Sequence, residues 1–268
     1  MNLKKLTPSR VARSVRRRLT NRVFPINALR GVYATFDAAT AAAPPIKVIG
    51  YDGADSANWY QEKFSEVWLE DYPAMFWLER AFAAGTRVFE IGGHVGEAFY
   101  AYRQFVEYPE ALQWTILDVP TIAADGARIA AERGAENLRF ISEMRDVPEA
   151  DVVFAAGALQ YFEQPVLADS IRAMAAPPDW VIVNSTPMHD GEPYITLQNI
   201  GSAYCPYRIF NREELIASIT TLGYELVHSW QKDRKVVIPG HPDKCFDHYS
   251  GLVFSRSGRS SAPGDASG

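Results

Sequence analysis

The sequence predicts a three-layer α/β protein: a seven-stranded, mostly parallel sheet with helices on both faces, ended by an antiparallel pair of strands. Three observations carry this expectation. From residue 86 onward, short apolar runs alternate with amphipathic helical stretches, the rhythm of a parallel sheet covered on both sides. The first run leads into a glycine-rich turn that opens a helix. The last two runs are separated by a polar loop instead of a helix, so they can pair as a hairpin.

Taken in order, the elements begin with a basic arm. Residues 1–30 hold nine basic side chains and no acidic one. Ser9 can cap a helix there in which Val11, Val15, Leu19 and Val23 recur every fourth residue among arginines. Such a segment reads as a surface for anionic membranes or protein partners, against the plainer reading of a solvated tail. Residues 38–45, ending in a proline pair, read as a linker, so the arm and linker occupy 1–45. Residues 46–85 are an aromatic segment. Tyr60, Phe64, Trp68, Tyr72 and Phe76 fall at intervals of four, joined by Trp59 and Trp77, and Pro73 must end one helix or open the next. This stripe is expected to pack on the core or to cap a pocket.

The main domain spans 86–254. Its strands are expected at 87–91, 114–117, 138–141, 151–155 and 180–184, with helices at 97–106, 121–133 and 165–174. Asn211, with Glu214 three residues on, caps a helix that runs to Leu222 and stops at Gly223. The hairpin strands are expected at 224–230 and 249–254. Residues 255–268, rich in Ser, Gly and Ala, read as a disordered tail.

Composition narrows the function classes. The 268 residues are 47% hydrophobic and carry a net charge of −5, which fits a folded globular chain and not a disordered one. No apolar run reaches the ~18 residues of a membrane span. The two cysteines, Cys205 and Cys245, make no disulfide scaffold, so a reducing, cytoplasmic setting is expected, with membrane association only through the arm. Outside the arm, 18 basic residues face 32 acidic ones, which argues against nucleic acid as a partner.

The chemistry is expected at the turn after the first strand, Glu90-Ile91-Gly92-Gly93-His94-Val95-Gly96. Glycines let a ligand approach the backbone, and the following helix presents free N–H groups. The second strand ends in Asp118, 22 residues after Gly96, where an acid can accept both hydroxyls of a ribose. A P-loop is excluded by the lack of a Gly-Lys-Ser/Thr ending, and the dinucleotide pattern Gly-x-Gly-x-x-Gly is not supplied.

What remains resembles the class I (Rossmann-like) S-adenosylmethionine-dependent methyltransferases, whose first motif is commonly Asp/Glu-x-Gly-x-Gly-x-Gly. Glu90, Gly92 and Gly96 match it; His94 stands where the middle glycine is usual, and Gly93 is an extra glycine. The element order and the terminal antiparallel pair extend the resemblance over residues 86–254. More narrowly, the Gly-Gly-x-x-Gly turn, Gly157-Ala158-Leu159-Gln160-Tyr161, Cys205-Pro206-Tyr207-Arg208-Ile209-Phe210-Asn211 and Tyr249-Ser250-Gly251 are similar to a bacterial family of methyltransferases associated with surface-polysaccharide gene clusters.

The resemblance implies S-adenosyl-L-methionine as the cofactor and a role for each matched residue. Glu90 orients the donor's amino-acid portion, and the backbone of Gly92, Gly93, His94 and Gly96 passes beneath the donor. Asp118 holds the ribose hydroxyls, Glu143 (or Ser142) reaches the adenine amino group, and Gly157, Ala158 and Gln160 flank the methionine part. The competing reading makes Glu90 a helix-capping acid and the glycines a ligand-free turn.

A hydroxyl acceptor benefits from a base, and His189 oriented by Asp190 is the candidate after the fifth strand. Tyr161, Gln198, Asn199 and Tyr204 are the candidate acceptor-binding residues. No Asn/Asp-Pro-Pro-Tyr sequence follows the fourth strand, which removes the usual sign of an amino-group methyltransferase acting on nucleic acid or protein amides. His241, Cys245 and His248 match no common zinc spacing, so no metal is expected. Two readings follow: methyl transfer to a small-molecule or carbohydrate hydroxyl, or a catalytically inactive protein of the same fold that binds or scaffolds in surface-glycan assembly.

Overall fold

A computed structural model describes residues 24–51 and 64–257. The helix expected from Ser9 to Val23, the aromatic residues Trp59 and Tyr60, and residues 258–268 of the expected tail lie outside the described residues; Ser255 and Arg256, expected in that tail, instead end the last strand, with Ser255 buried. Two strands come first, β1 (Leu29–Tyr33) and β2 (Val48–Ile49). The central run is β3 (Arg87–Ile91), β4 (Gln113–Leu117), β5 (Leu138–Ile141), β6 (Val152–Ala156) and β7 (Trp180–Thr186). Then follow β8 (Met188–His189), β9 (Tyr194–Asn199), β10 (Ala203–Asn211), β11 (Tyr224–Val236) and β12 (Phe246–Arg256).

The large sheet has seven strands in the order β11-β12-β7-β6-β3-β4-β5. Strands β7, β6, β3, β4 and β5 run parallel, while β12 is antiparallel to β7 and β11 to β12. This is the expected architecture: mostly parallel, with the terminal hairpin. Residues Val152 to Ala155 and Val181 to Val183 are wholly buried because helices cover both faces. Successive side chains alternate between two cores. Val88, Trp114 and Phe154 pack with Leu78, Phe99 and Ile122 on one face. Phe89, Val153 and Val181 pack with Leu167, Ile171 and Ile219 on the other.

The helices are α1 (Phe36–Ala41), α2 (Tyr72–Phe82), α3 (Glu97–Tyr102), α4 (Pro120–Glu132), α5 (Val166–Ala173) and α6 (Arg212–Thr220). Asn211 caps α6, its side chain accepting the Glu214 N–H at 2.8 Å. Helix α3 stops at Tyr102, one turn short of expectation.

Three features depart from the sequence reading. Residues 38–45, expected as a linker, begin inside α1, where Thr35 accepts the Ala38 N–H at 3.1 Å and Ala39 is fully buried; the alanine run is helical because a cap starts it. The aromatic stripe is broken by a 3₁₀ turn at Leu69–Asp71, and Pro73 opens α2. Helix α2 buries Met75, Leu78 and Phe82, so Tyr72 and Phe76 face outward, 46% and 52% exposed, while Trp68 lies ahead of the helix and is 60% exposed.

The third departure is a second sheet, with β1-β9-β10-β2 in order and β8 also on β10. Its strand β9 is buried at all six positions and shows no alternation. Pro206 sits inside β10, where the strand's second edge is paired only at its ends, by β2 and by β8, so the missing N–H breaks no ladder there. The hairpin also runs longer than expected: β11 continues through Lys232 and Arg234 to Val236.

Candidate functional site

The order of the large sheet reverses at β3, from which the chain proceeds outward to β4 and β5, then returns to β6 and β7 on the other side. A crevice forms at the carboxyl ends of the strands at such a switch. A cleft of about 550 Å³ lies there. Glu90, Gly92 and His94 line it from the β3 end, Asp118 from the β4 end, Gly157 from the β6 end and Ser185 from β7. The opposing wall is Tyr51, Cys205 and Pro206 of the second sheet's region, with Trp68, Asp71 and Lys232.

The backbone bends sharply at these strand ends. Gly92, His94, Gly157 and Ser185 all have positive φ, at 68°, 52°, 64° and 52°. Two of the four carry side chains in a region that costs most residues about 1 kcal/mol or more. Gly93 is required for a different reason: a Cβ there would lie 2.4 Å from the Glu90 carboxyl carbon. The extra glycine makes room for the acid three residues before it.

Glu90 is 1% exposed and accepts the Trp114 indole N–H at 2.7 Å. Burial pushes its carboxyl up to about 8, against the Trp114 hydrogen bond, and the nearby Glu97 and Asp118 push in the same direction as burial. Asp118 is partly buried. Its Oδ1 accepts the Val119 N–H at 2.8 Å and its Oδ2 the His94 N–H at 2.9 Å, so it ties the β3 turn to the β4 end. Burial raises it to about 6, while those two backbone donors act the other way. The cleft therefore holds two acids whose ionisation a cationic or strongly donating ligand would favour.

The expected residues divide. Glu90, Gly92, Gly93, His94, Asp118, Gly157, Ala158 and Tyr161 line the cleft. Gly96 is the N-cap of α3 at φ 97° and does not line the cleft. Gln160 is buried and donates to the Gly157 carbonyl at 2.6 Å, bracing the turn without lining the cleft. Glu143 and Ser142 are exposed and outside the lining.

His189 and Asp190 are also outside it. The His189 ring meets its own loop: Nδ1 accepts the Gly191 N–H at 3.3 Å, leaving Nε2–H to donate to the Glu192 carbonyl at 3.0 Å. The ring stacks on Phe246 with centroids 5.5 Å apart. The expected orientation of His189 by Asp190 is corrected by these contacts, because a short loop satisfies both ring nitrogens locally.

Gln198, Asn199 and Tyr204 belong to the second sheet and do not line the cleft. Gln198 accepts the Tyr161 hydroxyl at 2.7 Å, supporting a residue that does. Asn199 receives Lys47 at 2.6 Å, and Tyr204 stacks on Phe24 with centroids 5.3 Å apart. Among the described residues no three His, Cys, Asp or Glu side chains group to hold a metal ion. Cys245 instead accepts the Ile238 N–H at 3.4 Å.

Sequence reasoning missed the opposing wall. Tyr51 meets the Tyr161 ring edge-on at 4.8 Å and the His94 ring at 6.5 Å. Cys205 is buried, and burial pushes its thiol up to about 12, so it is inert lining. Asp71 bonds Asn184 across the end of β7, and Lys232 pairs with Glu70 at 2.5 Å. These residues come from separate segments: Trp68 belongs to the aromatic stripe and Cys205 and Pro206 to a motif visible in the sequence, while Tyr51, Asp71 and Lys232 carry no such signal.

No family model and no curated protein matches the sequence. Among solved structures, the chain is similar to the 1,6-didemethyltoxoflavin-N1-methyltransferase of Burkholderia thailandensis, crystallised with 1,6-didemethyltoxoflavin and S-adenosylhomocysteine. The identity is 19%, over 96% of this chain and 93% of that one, with a TM-score of 0.47. It is similar also to magnesium protoporphyrin IX methyltransferase of Synechocystis PCC 6803 with bound S-adenosylhomocysteine, at 10% identity over 76% of this chain and 95% of that one, TM-score 0.49. A third is the N-terminal domain of EvdMO1 with S-adenosylhomocysteine, at 15% identity over 71% and 82%, TM-score 0.46.

Proposed function

We propose that this chain transfers a methyl group from S-adenosylmethionine to a hydroxyl of a small-molecule or carbohydrate acceptor. The observation that carries the reading is the pair of acids, Glu90 and Asp118, at adjacent strand ends facing one cleft at the sheet's switch point. The residues suit the donor. Each Asp118 oxygen holds one backbone N–H and keeps a lone pair, which suits the two ribose hydroxyls. Glu90 gives a buried carboxyl toward the donor's cationic amino-acid end, and the turn from Gly92 to Gly96, with Gly157 and Ala158 opposite, supplies the backbone between. The donor supplies an electrophilic methyl group on a sulfonium. The chain's part is to orient it, exclude water and align the acceptor.

The test is calorimetric titration with S-adenosylmethionine and S-adenosylhomocysteine. Both are expected to bind, and Asp118→Ala is expected to weaken binding at least ~10-fold, as loss of hydrogen bonds to a charged group does. Absence of heat up to millimolar ligand would sink the reading, and an unchanged affinity in the variant would displace the ribose site.

His94 favours the competing reading, a non-catalytic binding protein of the same fold. Its buried side chain lines the cleft where glycine is usual in the family resembled. Donor binding with no transfer to any glycan or small hydroxyl acceptor would support it. The surface-glycan setting rests on the motif resemblance alone and is tested by assaying glycan acceptors. No helix among the described residues is long and apolar enough to cross a membrane. The basic arm of residues 1–30 is proposed as a contact for anionic lipid or a protein partner. Vesicle co-sedimentation of the full chain against one lacking residues 1–23, which keeps the buried Phe24 and β1, tests the lipid case, and equal binding counts against it.

A further inference from the structure

We propose that the far half of the cleft is the acceptor subsite, where Asp71 is the base for a hydroxyl of a neutral sugar ring lying against Trp68. This rests on the methyl-transfer reading and adds to it the residues that face the acceptor.

Position comes first. Asp71 lines the cleft from the start of α2 and bonds Asn184 near the carboxyl end of β7. Asn184 pairs with Ala156 across β6 and β7, whereas Glu90 and Asp118 stand at the ends of β3 and β4. Because β6 lies between β7 and β3, Asp71 occupies the opposite side of the row of strand ends from the two donor-side acids.

Orientation is fixed by donors that cannot reverse. The Trp230 indole N–H, which can only donate, reaches Asn184 Oδ1 at 3.2 Å. Asn184 Nδ2 is thereby turned to Asp71 Oδ1 at 2.8 Å, and Asp71 Oδ2 accepts the Trp68 N–H at 3.1 Å. Each carboxylate oxygen keeps a lone pair, so Asp71 is held in place and still able to take a proton. The cation beside it, Lys232, pairs with Glu70 and also draws the Asp71 carboxyl downward. Burial outweighs these hydrogen bonds and the Lys232 charge and lifts the Asp71 carboxyl above its ordinary value.

The acceptor's class follows from what surrounds Asp71. Trp68 lines the cleft while remaining 60% exposed, offering an apolar ring for the C–H face of a sugar. Glu66 and Asp71 line this end together with Lys232 and Arg234, so its charges are balanced, which suits a neutral sugar. In the step itself Asp71 takes the hydroxyl proton as the oxygen forms its bond to the methyl carbon. The methyl–sulfur bond breaks, and its electron pair stays on sulfur as a neutral thioether.

The experiment uses the full chain, isotopically labelled and saturated with S-adenosylhomocysteine, titrated with methyl pyranosides of gluco, galacto, manno and 6-deoxy configuration. At least one is expected, at millimolar concentration, to shift both the Trp68 indole and the Asn184 side-chain amide resonances, with glucuronate weaker. Labelled methyl transfer to that glycoside should then fall ~100-fold or more in Asp71→Asn, the scale of a lost general base, with S-adenosylhomocysteine affinity held within about threefold. Asp71→Glu should recover part of the rate, which guards against a folding defect in the amide variant.

If no glycoside moves those resonances, or if Asp71→Asn transfers within about threefold of the parent rate, the assignment of Asp71 and its subsite is overturned. Failure of S-adenosylhomocysteine to saturate the protein at all would instead overturn the donor reading beneath it.

Discussion

Replacing Glu90 by glutamine tests the electrostatics of the cleft while keeping its shape. The glutamine oxygen can still accept the Trp114 indole N–H, which lies 2.7 Å from the carboxylate in the parent. What disappears is the need to ionise a group that is 1% exposed. In the folded chain Glu90 is raised from 4.5 to about 8, chiefly by burial. Between those values the folded state holds a proton that the unfolded state has released, so stability falls as pH rises through the window. At about 1.4 kcal/mol per pH unit, the full window corresponds to a loss of about 5 kcal/mol. Asp118, raised to about 6, acts in the same direction over a narrower window, but it is present in both proteins.

The variant and the parent should therefore match within about 1 kcal/mol at pH 5, and the variant should be about 3–5 kcal/mol more stable at pH 8 and above. Urea unfolding followed by tryptophan fluorescence across pH 5 to about 8.5 measures both curves. Parallel curves would refute the reasoning. They would mean that Glu90 ionises in the folded chain as it does in the unfolded one, and that water or a counter-charge reaches it.

Two further outcomes follow from local geometry. Gly93→Ala places a Cβ 2.4 Å from the Glu90 carboxyl carbon, so it should cost about 1–3 kcal/mol in urea unfolding and weaken S-adenosylhomocysteine binding by displacing Glu90. Asn211→Ala removes the acceptor of the Glu214 N–H at the start of α6, which should cost about 1 kcal/mol by the same assay and leave ligand affinity unchanged.

The large sheet was legible because burial on both faces writes continuous apolar runs such as Val152 to Ala155, and glycine-rich or capped turns punctuate them. The second sheet was not, although β9 is just as buried. Its residues Tyr194 to Asn199 mix aromatic, aliphatic and amide side chains without a period, and the proline in β10 reads as a breaker until the gap between β2 and β8 is seen. The same division runs through the cleft. Its strand-end half is local chemistry, seven consecutive residues from Glu90 to Gly96 and one acid at the end of the next strand, and so can be read in line. The opposing wall joins Tyr51, Trp68, Asp71, Cys205 and Lys232, whose proximity exists only after the hairpin and the second sheet have formed.

His94 shows where the two halves meet. Glycine is usual at its position in the family resembled, and the structure shows the backbone demand behind that usage, a φ of 52°. Histidine enters this region several times more readily than most residues, so the turn survives the exchange. What changes is the wall. Its backbone N–H still serves Asp118 at 2.9 Å, while its ring reaches the edge of Tyr51 at 6.5 Å, and Tyr51 in turn meets Tyr161. Histidine at 94 leaves the turn's tie to Asp118 in place and sets an aromatic ring between the turn and the Tyr51 wall. A smaller residue at 94 should therefore enlarge the junction between the two halves without disturbing the Asp118 tie, an effect on acceptor range more than on donor affinity.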